Sequence, residues 1–408
     1  MSAARARLLR ALPAVASFAI PLVVYLAGLR PLGSGDTRPA ELLPVALLEG
    51  RGFDLATLID PAEKYPYWYH RVGNRLVSSY PVLPGLLNVP VFAAARAGGL
   101  DILANRERLS LITASLLCAL SAFFLFRVLE RIDLQRRGAL ALTLLYAFGT
   151  CMWGVASRAM FQHGPSVFLL TAAIWLLLRG DRASAAASGL LLSLAVVNRP
   201  SNALIAVPLV LFVWRHRRAA LPPFAALAAV PAVLLAAYAS AYLGTPFSTG
   251  YWNPIPEVAN FRGNPFVGFA GLLVSPSRGL FVFSPFLLFA VAGAAIAIRH
   301  PVRCPIAPYL AAGSLLLVLL YAKWSIWWAG HTFGYRFLIE ALPGAMVLVA
   351  IAWGRIRTRP AWRAVFLACC AWSVFVQALG VRYQPTGFNQ RMDQDPSLLW
   401  SVRDSEIA

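Results

Sequence analysis

Only 17 of the chain's 408 residues are acidic, yet one of them, Asp36, sits in the run SGDTRPAELLP directly after an apolar segment at about 8–29. A carboxylate held near a working surface without being freely solvated can serve as a general base. Glu41 follows five residues later, close enough to share a site on a short helix. Cations recur in short idiosyncratic motifs: Arg278 with Ser275 and Ser277 in SPSRG, Arg336 in FGYR, Arg199 in NRPSN, Arg158 in ASRAM, and Lys323 before WSIWW. His163 in FQHGP and His331 in WAGHTF add two imidazoles. Arginine's planar fork suits bidentate contact with phosphate oxygens. One carboxylate facing several cations is the pattern of a base set beside a phosphate-binding cluster.

Each of these residues also has a structural reading. Asp36 precedes a helical run and could cap it. Arg278 could snorkel to lipid headgroups. Arg336 and Glu340 are four apart, the spacing of an ion pair on one helix face. The WSIWW run could form an interfacial aromatic belt. A lone His163 near a helix end could simply satisfy a buried hydrogen bond.

The elements that must position these groups follow from composition. The chain is 59% hydrophobic and 13% charged, with a mean hydropathy of +0.66. Soluble domains carry about 25% charged residues. Apolar runs near the ~20-residue length that crosses a hydrocarbon core recur throughout. The predicted fold class is therefore all-α, a polytopic membrane helical bundle in a single domain spanning 1–408. A net charge of +19 would suggest nucleic acid in a soluble protein. Here it reads as loop arginines obeying the positive-inside rule, and no nucleic-acid partner is expected. The first segment, behind Arg5, Arg7 and Arg10, lacks a clear small-x-small cleavage site and reads as a retained signal anchor.

Placing all the basic clusters on one side demands two crossings between successive clusters. Eleven segments satisfy this if 80–97, which contains Pro81, Pro84 and Pro90, is re-entrant or interfacial rather than spanning. The N-terminus is then cytoplasmic and the C-terminus outside. The outer face carries the longer segments: the first loop at 30–79, the stretches around 153–165, 198–202, 244–279 and 323–336, and a polar tail at 381–408. Every candidate residue maps to that face. The five cysteines at 118, 151, 304, 369 and 370 show neither a disulfide framework nor a metal-ligand spacing.

Taken in order, Asp36, the YPVLPG stretch (Tyr80 to Gly85), QHGP, NRP, SPSRGL and WWAGHTFGYR resemble bacterial membrane glycosyltransferases of the GT-C superfamily. These depend on polyprenyl-phosphate sugars and are related to protein mannosyltransferases and aminoarabinose transferases. The resemblance implies a GT-C-like bundle in the bacterial inner membrane with its active site on the outer face. By the same resemblance Asp36 is the general base, and Arg278, Arg336 and Arg199 hold the donor phosphate. The acceptor would be a glycan, lipid or protein hydroxyl. The mechanism would be a single inverting displacement with no nucleotide and no covalent intermediate. Many relatives carry a second acid beside the first, where this chain has Thr37, so no metal or other cofactor is expected. Two rival functions remain open on the sequence: a flippase or transporter of lipid-linked glycan, and a non-catalytic subunit that presents the lipid.

Overall fold

Long apolar runs form helices here because a backbone out of water must satisfy its own polar groups within the segment. The computed structural model describes residues 3–28, 30–59, 67–248, 251, 259–383 and 386–408. The side chains of Arg5, Arg7 and Arg10 lie outside the described residues, as do residues 60–66 of the first loop and most of 249–258.

Helix α1 (Ala3–Ala27) leads through the turn Gly35–Thr37 into α2 (Arg38–Leu48). A hairpin follows, β1 (Tyr69–Val72) and β2 (Arg75–Ser78), then α3 (Leu83–Ala97). The bundle continues with α4 (Arg106–Arg131), α5 (Arg136–Phe148), α6 (His163–Arg179), α7 (Arg182–Asn198), α8 (Ala203–His216) and α9 (Leu221–Leu243). Its second half comprises α10 (Pro265–Val274), α11 (Leu280–Phe283), α12 (Leu288–Arg299), α13 (Ala307–Ala322), α14 (Leu342–Ile356), α15 (Pro360–Arg382) and α16 (Thr386–Gln394).

The packing is that of a membrane bundle. α4 lies against α1, α5 and α6, while α7 packs on α9 and α12 on α14. Four helical stretches among the described residues are long and apolar enough to cross a membrane: Arg106–Arg131, Arg218–Leu243, Arg336–Ile356 and Pro360–Arg382. The first and third are 72% buried over their apolar window, whereas the second and fourth are only 17% and 28% buried. The outer two therefore expose their apolar side chains, such as Val233 and Leu234 on α9 and Leu367 and Phe375 on α15. A water-soluble protein rarely tolerates so large a contiguous apolar surface; a lipid-facing one requires it. The protein is a polytopic membrane helical bundle.

Two local findings refine the sequence reading. The all-α expectation omits the β1–β2 hairpin, whose two-residue turn joins the Val72↔Arg75 pair. Gly73 takes φ +59° there, a conformation that tight hairpins demand and glycine adopts without strain. Residues 83–97 form one continuous helix: Pro84 sits in its first turn, where a missing N–H costs nothing, and Pro90 lies inside it without ending it. At 15 residues, α3 is about 22 Å long at 1.5 Å per residue, short of a ~30 Å core. Asn88 ties it to α2 by donating to the Ala40 carbonyl at 2.8 Å.

Candidate active site

Asp36 is placed by the short turn that ends the approach from α1. Its N–H is held by the Ser34 hydroxyl at 3.3 Å, which fixes the carboxylate's direction. One oxygen, Oδ1, accepts from Tyr80 at 2.8 Å and from Tyr67 at 3.2 Å. The other, Oδ2, accepts from Arg336 Nη1 at 2.8 Å. A Cβ added at Gly35 would collide with the Tyr67 ring, so glycine there lets the tyrosine reach the carboxylate.

Arg336 comes from the far end of the chain, and the shape of its loop delivers it. Ala329, Gly330 and Gly334 all take positive φ, folding the AGHTFG segment back on itself. The guanidinium's second nitrogen donates to the Ala329 carbonyl at 2.8 Å, and its plane lies 5.1 Å from the centre of the Phe161 ring. Asp36 retains 26% side-chain exposure, Arg336 only 11%. Burial alone would raise the Asp36 carboxyl. The charge of Arg336, with hydrogen bonds from Tyr80, Arg336 and Tyr67, outweighs burial and holds it below the ordinary carboxylate value. Tyr67 and Tyr80 shift the opposite way, raised by burial and by Asp36's charge. The pair is an ionised carboxylate with neutral phenols donating to it. The space beside Asp36, bounded by Tyr80, Pro81, Met160 and Gln162, is about 10 Å³.

Several sequence expectations change at this site. Asp36 does not cap α2. The cap position belongs to Thr37, which makes no side-chain capping bond and instead donates its hydroxyl to Glu41 at 2.7 Å. Glu41 shares nothing with Asp36's partners: it is buried and faces Arg38 at 3.6 Å and Arg106 at 3.8 Å. The Arg336–Glu340 pair is not formed either. Residues 336–341 make a 3₁₀ turn, where the side-chain spacing is about three rather than about four residues, so the two groups diverge.

Glu340 enters a second, deeper network. It accepts from His163 Nδ1 at 2.8 Å and lies 3.6 Å from Arg199 Nε. Arg199 also donates to the Tyr321 hydroxyl at 2.5 Å and comes 3.5 Å from His163 Nε2. The three charged or ionisable groups are almost wholly buried on α6, the α7–α8 turn and the lead-in to α14. Arg199 is thus engaged with protein rather than presented to a ligand. The Phe161 ring beneath Arg336 has its centre 6.0 Å from that of His163, so this network forms the floor under the Asp36–Arg336 pair.

Arg278 is sealed. It forms an ion pair with Glu406 and donates to Asn389 Oδ1 at 3.0 Å and to the Gly330 carbonyl at 3.3 Å. The 386–408 segment lies over it: Ser275 and Ser277 donate to the Leu399 and Leu398 carbonyls at 2.6 and 3.4 Å. Glu406 also accepts from the Gly334 N–H at 3.1 Å, two residues from Arg336. His331 bridges to Asp393 at 2.9 Å on the surface. Trp327, expected in an aromatic belt, is 5% exposed and packs at 5.8 Å on Trp400 of the tail. Lys323 is exposed at the end of α13. Arg158 does not join the others; its fork holds the Arg30 carbonyl at 3.1 Å, away from Asp36.

Tyr67, Tyr80, Glu340 and Glu406 were not singled out by sequence reasoning as site residues. The aromatic stretch before YPVLPG and the scarcity of acids are the signals that could have found them. Among the described residues, no group of three or more His, Cys, Asp or Glu is arranged to hold a metal ion, and all five cysteines are free.

No protein-family model matches this chain, and no curated protein matches it. The crystal structure of ArnT from Cupriavidus metallidurans in the apo state does align with it, over 100% of this chain and 74% of that one, with a TM-score of 0.55 and 16% identity. The chain shares the fold of that protein. At that identity the likeness is one of fold.

Proposed function

We propose that the protein is a glycosyltransferase that moves a monosaccharide from a polyprenyl-phosphate carrier to an acceptor hydroxyl at the outer face of a bacterial cytoplasmic membrane. The observation that carries this reading is the Asp36 carboxylate, ionised and oriented by Tyr67, Tyr80 and Arg336. Its setting in the fold shared with ArnT, an aminoarabinose transferase, supports the same conclusion.

In this reaction the acceptor oxygen bonds to the anomeric carbon as the bond from that carbon to the phosphate oxygen breaks, inverting the centre. The acceptor proton passes to Asp36, and the bonding electrons leave with the carrier phosphate. Arg336, already beside the base, stabilises that developing charge. Its guanidinium can turn part of its fork to phosphate while keeping the Ala329 carbonyl. His163, Glu340 and Arg199 set the floor on which the arginine rests. Arg278 lies under the tail and contributes to phosphate binding only when Glu406 is displaced. The reaction needs no nucleotide or other cofactor, since the donor arrives activated. The 10 Å³ beside Asp36 holds about one water, so a sugar at the base needs more room than that space gives.

The test uses the full chain in lipid nanodiscs with a panel of polyprenyl-phosphate monosaccharides and a membrane-extract acceptor. Release of polyprenyl phosphate is followed by mass spectrometry. Removing a general base costs about 10²- to 10⁴-fold, so Asp36→Asn is expected to lose release by that factor while still binding donor. Equal release by both proteins would remove Asp36 from the mechanism. Donor bound but never turned over by wild type would overturn the transferase reading in favour of a lipid-presenting protein.

A further inference from the structure

A second charged cavity lies away from the Asp36–Arg336 pair, where α1 ends, α4 begins and α15 ends. It measures about 700 Å³, and Arg30, Arg106, Arg108, Arg158 and Arg382 stand around it with Glu107. Glu107 is already shared between Arg38 at 3.4 Å and Arg106 at 3.8 Å. Among the described residues, Arg30, Arg108, Arg158 and Arg382 have no carboxylate within ion-pair distance. Gathering like charges in one concavity is unfavourable unless a counter-charge joins them, and it focuses a field that draws anions in.

The cavity is built rather than incidental. Arg158 is 6% exposed, and its Nε and Nη2 both donate to the Arg30 carbonyl at 3.1 Å. Its own carbonyl accepts from the Leu32 N–H at 3.1 Å, so the two arginines lock the chain as it leaves α1. The third guanidinium nitrogen of Arg158, Nη1, has no partner among the described residues, and Arg158 lines the cavity. Arg106, on the same wall, turns its Nε to the buried Glu41 carboxylate at 3.8 Å and shares Glu107 at 3.8 Å. Arg158 thus keeps one guanidinium nitrogen at the cavity with nothing among the described residues to receive it.

What lies below the mouth decides the class of ligand. The α1 and α15 stems expose apolar side chains, with Val23 66% and Phe375 53% exposed. A cationic concavity at helix ends, set above bare apolar helix faces, matches a molecule with a phosphate head and hydrocarbon chains. We propose that this cavity binds the phosphate-bearing headgroup of an anionic lipid, whose chains run along α1 and α15. Neither Asp36 nor Arg336 lines it, and the binding does not depend on the transfer reaction.

Native mass spectrometry of the full chain in detergent tests this directly. The probes are dioleoyl phosphatidic acid, dioleoyl phosphatidylcholine and inorganic pyrophosphate. Wild type is expected to retain phosphatidic acid over phosphatidylcholine and to lose it to millimolar pyrophosphate. Arg108 and Arg382 are both exposed, so R108E/R382E removes charge without removing packing, and an unchanged unfolding temperature verifies the fold. Each basic residue near an anionic headgroup contributes about fivefold, so the double variant is expected to weaken phosphatidic acid retention at least about 25-fold. If the double reversal does not fold, R382Q carries the same test with an expected loss of about fivefold. Equal retention of phosphatidic acid by wild type and variant, or no preference over phosphatidylcholine, overturns the site. Binding of pyrophosphate alone overturns the lipid assignment and leaves a free-phosphate site.

Discussion

Two arginine–carboxylate pairs sit within a few residues of each other at one end of this bundle, and they are opposites. Asp36–Arg336 is partly open and over-provided: its carboxylate accepts from two tyrosines as well as from the arginine. Glu406–Arg278 is closed, with side chains 0% and 1% exposed, yet under-provided. Glu406 Oε1 and Arg278 Nε have no hydrogen-bond partner there. The carboxyl groups shift accordingly. Asp36 lies below its ordinary value, while burial, only partly offset by Arg278, raises Glu406 above its own. With an arginine beside each carboxylate, the hydrogen bonds from Tyr80 and Tyr67 and the lesser burial of Asp36 set the two apart. The first pair is equipped for chemistry and the second fastens the chain.

That contrast breaks most readily at the closed pair. Glu406→Ala leaves Arg278 buried without a counter-charge and is expected to destabilise the protein by about 3–5 kcal/mol, read from denaturant unfolding in micelles. Replacing both partners with apolar groups of similar size, Arg278→Met with Glu406→Leu, is expected to recover that loss or exceed it. If the double variant is as unstable as the single, the pair is better satisfied than its orphaned atoms indicate. At the open pair, Tyr80→Phe deletes one hydrogen bond to a charged acceptor, a change of about 1.5–3 kcal/mol. Transfer should fall by about 10- to 100-fold in protein that still folds, and an unchanged rate would make Tyr80 structural.

The smallest effect is in pH, where the two carboxylates act with opposite sign. Asp36's depressed value adds stability that is complete above its unfolded pKa near 3.8 and lost as pH falls through the folded one. Glu406's raised value means the folded state holds its proton longer, so from about its unfolded 4.5 upward its contribution declines as pH rises. Each slope is at most about 1.4 kcal/mol per pH unit. Unfolding free energy against pH should lose the acid-side slope in Asp36→Asn and the opposite slope in Glu406→Gln. Identical curves for the two variants would erase the distinction between the pairs.

The sequence made the bundle legible because lipid-facing helices need long apolar runs whatever their neighbours are. It also exposed Asp36, Arg278 and Arg336 as out of place. Their partners were hidden for a geometric reason. The Arg336–Glu340 spacing reads as a pair only if the segment is α-helical, and a 3₁₀ turn sends one group to Asp36 and the other to His163. Tyr67 and Tyr80 reach Asp36 across 31 and 44 residues, separations with no periodic signature. Glu406 was obscured by its polar surroundings, which look like a solvated tail until the chain folds back. The β1–β2 hairpin was passed over because four-residue strands are shorter than the apolar periods on which the reading relied.

The bond between Asp36 and Arg336 joins residues 300 apart, and this imposes a wait during biosynthesis. At about 5–20 residues per second, the arginine leaves the ribosome roughly 15–60 s after the aspartate. The first loop has local ties available sooner: Asn88 to the Ala40 carbonyl and to the Ser110 hydroxyl, and Arg106 beside Glu41. The α2–α4 platform can therefore set while its carboxylate is still without its cation, and the arrival of Arg336 closes the site onto ground already prepared.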